Sequence, residues 1–362
     1  MSEQMFIHMG PQHPVNHGLW TLKVRTEGEK VIDCEILIGY IYRMIEKMAE
    51  SRPFNTFQPL ADRLCYVSAL SWEASYILAL EKLMGIEVSK RAQYLRVILL
   101  EFQRIASHLT WLSAFTADVG MITMQAITFR EREYILDLLE HVMGSRMMYN
   151  YFRVGGLKHD IPSGFEEDAL ALTYHLDKRF EEYTDMCDKS RVFRLRSKGV
   201  GILNKEDALN LGATGPVLRA SGIQADIRKI EPYLVYDELD FDIPVKTDGD
   251  CYSRYRVRME EMHQSNRIIR QALEKLPEEG EISQKAPRKL PKGEIYFRTS
   301  DPRGEGGFYI IGNDDKIPYR VKIKSPAYSH LALTSHLLRG VKVADIAPIV
   351  ASIDLCMGEI DR

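Results

Sequence analysis

Residues 91–112 read Arg91-Ala92-Gln93-Tyr94-Leu95-Arg96-Val97-Ile98-Leu99-Leu100-Glu101-Phe102-Gln103-Arg104-Ile105-Ala106-Ser107-His108-Leu109-Thr110-Trp111-Leu112, and this stretch decides the fold class. Leu95, Ile98, Leu99, Phe102, Ile105, Leu109 and Leu112 recur at steps of three and four, the helical period, and no proline interrupts them. A long helix over roughly 90–118 follows. Upstream, Leu64, Val67, Leu70 and Ser71 share a helix face, and Leu78, Leu80, Leu83 and Met84 continue it up to the break at Gly85-Ile86-Glu87-Val88. A third helix covers roughly 127–150. Helices this apolar on more than one face belong to a buried bundle.

Outside the bundle the pattern changes. Residues 19–26 and 31–38 are strand-like and flank the compact turn Glu27-Gly28-Glu29-Lys30, an antiparallel hairpin. Gly39 to Met48 then starts a helix that ends before Arg52-Pro53. Gly155-Gly156 and Pro162-Ser163-Gly164 break the chain before an acidic amphipathic helix over 165–190. Short elements surround Gly212, Gly215 and Gly222, and a further helix covers 254–276. The Pro-, Lys- and Glu-rich segment 277–292 reads as a linker. Three short strands (294–298, 307–311, 319–323) and two short helices (328–338, 343–352) close the chain. The expected architecture is α+β, mainly α, in three segments: 1–58 with the hairpin, 59–276 as the helical core, and 277–362 as linker and C-terminal β/α region.

The 362 residues are 45% hydrophobic and 27% charged, with net charge -3, which excludes nucleic-acid binding by bulk electrostatics. No apolar run of roughly 18 residues occurs, and the N-terminus lacks a signal-peptide pattern. A cytoplasmic chain is expected, reaching a membrane only through partners. Cys34, Cys65, Cys187, Cys251 and Cys356 are scattered and never form a C-x-x-C pair, so neither a disulfide scaffold nor a local four-cysteine cluster site is encoded.

Three places carry titratable groups in unusual settings. The run Met9-Gly10-Pro11-Gln12-His13-Pro14-Val15-Asn16-His17-Gly18 holds two histidines on a loop stiffened by prolines, either a site or a solvated surface loop. Asp118, between Ala117 and Val119 at an apolar helix end, is either a paired carboxylate or a helix-end cap beside Gly120. Tyr66, on an apolar helix, is either a packing residue or a hydroxyl donor. Arg130-Glu131-Arg132-Glu133 reads as a solvated helix face. The glycine pairs at 155–156 and 306–307 lack the strand-to-helix setting of a nucleotide loop.

Taken together, several runs resemble one family from end to end. They include Gly10-Pro11-Gln12-His13-Pro14, Gly39-Tyr40-Ile41-Tyr42-Arg43, Asp62-Arg63-Leu64-Cys65-Tyr66, Phe152-Arg153-Val154-Gly155-Gly156, Gly215-Pro216-Val217-Leu218-Arg219-Ala220 and Met357-Gly358-Glu359-Ile360-Asp361-Arg362. The chain is similar to the quinone-site subunit of respiratory complex I, its D polypeptide, and to the archaeal counterpart in reduced-deazaflavin dehydrogenases. Gly-Pro-Val-Leu-Arg-Ala and Asp226-Ile227-Arg228-Lys229 lean toward the archaeal branch. The resemblance implies the fold of [NiFe]-hydrogenase large subunits, whose metal is held by two C-x-x-C pairs. Here those positions read Cys65-Tyr66-Val67-Ser68 and Cys356-Met357-Gly358-Glu359, so one thiol of each pair is gone. Nickel and low-spin iron need soft thiolates, and no nickel or other metal is expected in this chain.

The resemblance further implies that His17 and Tyr66 hydrogen-bond the two carbonyls of a quinone, or the corresponding atoms of methanophenazine, and that Asp118 partners the histidine. Arg43 would lie beside a [4Fe–4S] cluster held by the small iron–sulfur subunit (the B polypeptide), with the C polypeptide and the membrane-embedded H polypeptide as further partners. The assembly would lie on the cytoplasmic face of the cell membrane and pump protons, with NADH, reduced deazaflavin or ferredoxin as electron donor. Val67, Leu70, Met121 and Met124 are candidates for an apolar quinone channel. The alternatives are a hydrogenase-related large subunit and a structural subunit with a closed cavity.

Two departures stand out. Met148 replaces a histidine common near the cluster and cannot take up a proton on reduction. The cluster potential is therefore expected to be nearly independent of pH; a redox titration sloping by one proton per electron would contradict this. Tyr42 stands where the family commonly has His, and nothing in the sequence explains its effect. His13, locked between Gln12 and Pro14, is expected to shape the loop, and Gly10 and Gly18 to let it move with the acceptor's redox state.

Overall fold

A computed structural model describes residues 4–362. The chain opens with an antiparallel sheet of β1 (Gln4–Met9), β2 (Thr21–Glu27) and β3 (Lys30–Leu37), in the order β1-β2-β3. The hairpin β2–β3 is thus part of a three-stranded sheet whose other edge is β1. β1 carries mostly exposed side chains, which erases the alternation that marks a half-buried strand, yet it pairs with β2 from Gln4↔Glu27 to Met9↔Leu22. The histidine loop is therefore the β1–β2 connection, held at both ends by the sheet.

Two short helices follow, α1 (Ile45–Ala49) and α2 (Phe54–Ala61). The helix expected from Gly39 begins six residues later. The carboxylate of Asp361 accepts the amides of Gly39 (3.0 and 2.9 Å) and Ile41 (3.1 Å), which binds the first turn to the C-terminus instead of to itself. A 3-10 turn at Tyr66–Ser68 leads into the bundle: α3 (Ala69–Met84), α4 (Lys90–Asp118) and α5 (Ile122–Met143). Tyr66 thus stands on the turn before an apolar helix and not within one, and α5 begins and ends earlier than its expected range.

β4 (Phe152–Arg153) and β5 (Gly156–Leu157) form a tight hairpin around Gly155, followed by α6 (Phe165–Lys189), α7 (Arg191–Ser197), α8 (Lys205–Asn210), α9 (Gly215–Ala220), α10 (Ile227–Ile230) and α11 (Cys251–Glu274). The C-terminal region has an antiparallel sheet of β6 (Gly293–Asp301), β7 (Gly304–Gly312) and β8 (Arg320–Lys324), then α12 (Pro326–Leu338), α13 (Ile346–Ile353) and α14 (Met357–Ile360). α4 is the axis: it packs on α5, α11, α13 and α3, and residues 94–109 are buried on every face. One buried apolar cluster runs from Met9 to Ile360 and crosses the boundaries between the three segments.

Segment 277–292 is no free tether. Leu157 donates to Ile282 O (2.9 Å) and Gln284 to Gly155 O (3.0 Å), and a Cβ on Gly156 would lie 2.0 Å from Ile282 O. The glycine pair is there because another backbone passes directly over it.

Burial all round α4 brings charges into the core, where they are paired. Glu101, Asp226 and Glu261 meet Arg104, Arg219 and Arg228, all nearly without exposure. Glu261 accepts from Arg219 (2.8 Å), Arg228 (3.0 Å) and Arg104 (3.4 Å) and lies 3.2 Å from His108 Nε2. Burial alone would push this carboxyl up, but Arg219, His108 and Arg104 together hold it well below the usual carboxylate range. Nearby, Arg96 grips Glu81 through two bonds (2.8 and 2.7 Å) and donates to the carbonyls of Arg153 and Gly156, fastening the β4–β5 hairpin to the bundle.

A second buried pair behaves in the opposite way. Asp62 accepts the Asn150 amide (2.8 Å) and Glu73 the Gln58 side chain (2.6 Å), while Asp62 Oδ1 and Glu73 Oε2 have no such donor. Burial, with the like charge of its neighbour, lifts Glu73 well above its usual range, and burial raises Asp62 to about 6. Asp62 binds its proton more tightly folded than unfolded, so its contribution to stability is full below about pH 4 and is lost as the pH rises through about 6. Asp62→Asn keeps an acceptor for Asn150 but removes the titration. The variant is expected to gain stability relative to wild type as the pH is raised from about 4 to about 8. Urea unfolding at the two values checks this, and a gap that does not change with pH would count against it.

Candidate functional site

A cavity of about 460 Å³ opens between the β1–β2 loop, the Tyr66 turn, α4 and the segment 354–358. His17, Tyr66, Arg43, Met148 and Val67 all line it, with Leu19, Ile41, Trp111 and Met357 giving it apolar wall. Its size suits the head group of a small organic ligand. A larger depression of about 730 Å³ lies between Phe54, Pro59, Arg153 and Arg288 and contains none of the expected site residues. Met121, Met124 and Leu70 do not line the 460 Å³ cavity: Met124 and Leu70 are fully buried in the core, and Met121 packs partly against it. Helical spacing identifies apolar faces but does not say which neighbour covers each.

The loop that presents His17 is tied across its neck. Asn16, buried, donates from its side-chain amide to Met9 O (2.9 Å) and Trp20 O (2.7 Å). His13 turns back on the loop, its Nδ1 accepting the Val15 amide at 3.2 Å. Gly18 has φ +118°, and a Cβ there would meet Met357 Cγ at 2.8 Å, so the loop is seated against the C-terminal segment. His17 Nε2 then lies 2.9 Å from Asp118 Oδ2, with the two side chains 31% and 15% exposed. The approach is close but off the hydrogen-bond line, which leaves Oδ2 without an aligned donor. The end of α4 is closed by the Val119 backbone amide, so Asp118 pairs with the histidine and is no cap.

Tyr66 is 55% exposed and lines the cavity. The cavity walls nonetheless desolvate it and, with the adjacent Cys356 and Cys65, push the hydroxyl above its ordinary value. At neutral pH it is a phenol with a proton to donate. Arg43 donates to the carbonyls of Arg63 and Gly358, neutral acceptors, and among the described residues no carboxylate pairs with it. Met148 lines the same cavity, at φ +60°.

The base of the cavity holds groups that sequence reading passed over. Arg303, buried, donates to Asp354 (3.2 Å) and Ser107 (3.4 Å). Cys65 and Cys356 face one another, Sγ to Sγ, at 3.1 Å. Glu359 completes a buried group with them. Its carboxyl, however, accepts Trp72 Nε1 (3.1 Å), Ser325 Oγ (3.1 Å) and the Ala327 amide (3.0 Å). Burial pushes it well above its usual range, and its three donors make it a structural link between α3, α12 and α14. Arg303 and Asp354 lie far apart in sequence and carry no motif, and Asn16 could have been noticed only as the one neutral polar side chain between the two histidines.

Comparison with known proteins gives the family. A family model described as respiratory-chain NADH dehydrogenase, 49 Kd subunit, matches residues 118–290 and 284–362. The D polypeptide of the NADH-quinone oxidoreductase of Dehalococcoides mccartyi is 44% identical over 364 residues, covering 100% of this chain and 99% of that protein. The H polypeptide of the chloroplast NAD(P)H-quinone oxidoreductase of Chaetosphaeridium globosum is 43% identical over 386 residues, covering 100% and 99%. The corresponding NAD(P)H-quinone oxidoreductase polypeptide of Gloeobacter violaceus is 42% identical, covering 100% and 98%. These relatives are bacterial and plastid, so the leaning toward the archaeal branch rests on its motifs alone. Among the described residues no helix is long and apolar enough to cross a membrane. The chain belongs to the family of the 49 Kd subunit of the respiratory-chain NADH dehydrogenase.

Proposed function

We propose that this chain, with an iron–sulfur partner, forms the site at which a complex I-like oxidoreductase passes electrons from a terminal [4Fe–4S] cluster to a quinone or methanophenazine. The observation that carries the reading is the convergence of the His17 ring and the Tyr66 hydroxyl on one apolar-walled cavity, with Asp118 2.9 Å behind the histidine. The acceptor supplies two-electron chemistry that takes up two protons. Tyr66 gives one proton from its hydroxyl, and His17 gives the other from its ring. Asp118, 2.9 Å from Nε2, holds the imidazole in place beside the cavity. Arg43, which among the described residues is paired only with carbonyls, places a fixed positive charge where a partner's cluster would be reduced. The open cavity speaks against a purely structural role. Two thiols and a committed carboxyl in place of four thiolates speak against a hydrogenase. The partners would be the small iron–sulfur subunit, the C polypeptide and the membrane-embedded H polypeptide, on the cytoplasmic face of the membrane, with proton pumping in the assembly.

Photolabelling of the assembled complex with an azido-quinone tests the assignment. Label is expected on peptides carrying Leu19, Tyr66 or Met357. Label confined to the depression around Asn55 and Arg288 would overturn it.

A further inference from the structure

Five buried cysteines are present, and two of them are in contact. Cys34 and Cys251 direct their thiols at backbone carbonyls of Ser335 and Pro348, while Cys65 and Cys356 direct theirs at each other, 3.1 Å apart although 291 residues separate them. Nothing in the proposed electron transfer uses them. Cys356 lies on the cavity wall, and Cys65 stands directly behind it, 1% exposed. A cation is a poor occupant here. Glu359 is committed to three donors, and the Arg303 guanidinium is close enough to be influenced by both thiols. Burial pushes the Cys65 thiol well above its ordinary value, while Cys356, on the cavity wall, is the thiol that an entering oxidant meets first.

We propose that Cys65 and Cys356 form a reversible dithiol switch, oxidised to a disulfide by a small peroxide that enters the cavity, and that closing it slows quinone reduction. In the first step Cys356–SH and hydrogen peroxide give Cys356–SOH and water, with oxygen transferred to sulfur. In the second, the Cys65 sulfur attacks that sulfur, the S–S bond forms, and hydroxide leaves and takes the Cys65 proton as a second water. Two thiols lose two electrons, and one peroxide is reduced to two waters. Cys356 meets the oxidant and Cys65 resolves it, as their order from the cavity requires.

The effect on the site follows from the neighbours. An S–S bond is about 2.05 Å long, so the two sulfurs must close by about 1 Å. Cys65 is bonded to Tyr66. Cys356 is bonded to Met357, on which Gly18 and the His17 loop rest, and the next residue, Gly358, accepts Arg43. Misplacing reacting groups by about 1 Å costs on the order of 10²-fold in rate.

The effect on quinone reduction rests on the function proposed above; the disulfide itself does not. The assembled complex is treated with hydrogen peroxide, alkylated and mapped by mass spectrometry without reductant, and quinone reduction is followed in parallel. A peptide joining Cys65 to Cys356 is expected, with activity falling at least tenfold, and dithiothreitol should reverse both. In Cys65→Ser the peroxide loss is expected to resist dithiothreitol, because the Cys356 sulfenic acid, with no resolving thiol beside it, is carried on by further peroxide to sulfinic acid, which thiols do not reduce. Free thiols at both positions, a sulfinic Cys356 beside a free Cys65 in wild type, or one equivalent of zinc held by the pair would overturn the switch and leave the cavity's assignment standing. A mapped disulfide with unchanged quinone reduction would overturn the control of the site.

Discussion

Tyr66→Phe is expected to lower quinone reduction by about 10²–10⁴-fold, the usual contribution of a positioned proton donor. The substitution removes one oxygen and keeps the ring, so the cavity keeps its apolar wall. Tyr66 lines the cavity on a side chain that is 55% exposed, and among the described residues its hydroxyl has no buried partner to leave unsatisfied. The melting temperature of the complex should therefore stay within about a degree or two of wild type. The fall should be in kcat more than in KM, since the hydroxyl acts as the acceptor takes up protons. Steady-state quinone reduction by the assembled complex measures both. Turnover within a factor of two of wild type would remove Tyr66 from the proposed chemistry and leave His17 as the only donor of the pair.

The largest stability effect is expected at Glu261, far from the cavity. Glu261→Ala leaves Arg104, Arg219 and Arg228 facing one another with a carboxylate removed, inside a core where none is more than a few per cent exposed. Breaking a buried ion network by removing one partner costs about 3–5 kcal/mol, a large part of a domain's total stability. Because the folded carboxyl is held well below its usual range, its contribution is present above that range and is lost only as the pH falls far into acid. The loss on mutation should thus be as large at pH 5 as at pH 8. Denaturant unfolding at both values reads it, and a loss under about 1 kcal/mol would show that solvent reaches the network.

The helical bundle was legible because its signal is local. Leu95 to Leu112 repeat at the helical period, and so do the apolar residues of α6 and α11. The C-terminal strands were legible for a similar reason, in that glycine turns bound short β-prone runs. Readings failed where a distant residue changed the local outcome. Gly39–Met44 reads as helix until Asp361, more than 300 residues away, takes its amides. Segment 277–292 reads as a linker until it is laid over Gly155-Gly156.

The sequence by itself determined the helical class, the family and the residue types able to donate protons. It also showed that neither Cys65 nor Cys356 belongs to a C-x-x-C pair. Only the tertiary structure decided which of these residues meet. It brought His17 to Asp118 and placed Tyr66 on a turn facing an open cavity. It took Met121 and Met124 off the cavity wall and set Cys65 against Cys356. The physical reason is that periodicity records only that a face is buried. Which group covers that face depends on contacts between segments hundreds of residues apart, and those exist only once the chain has packed.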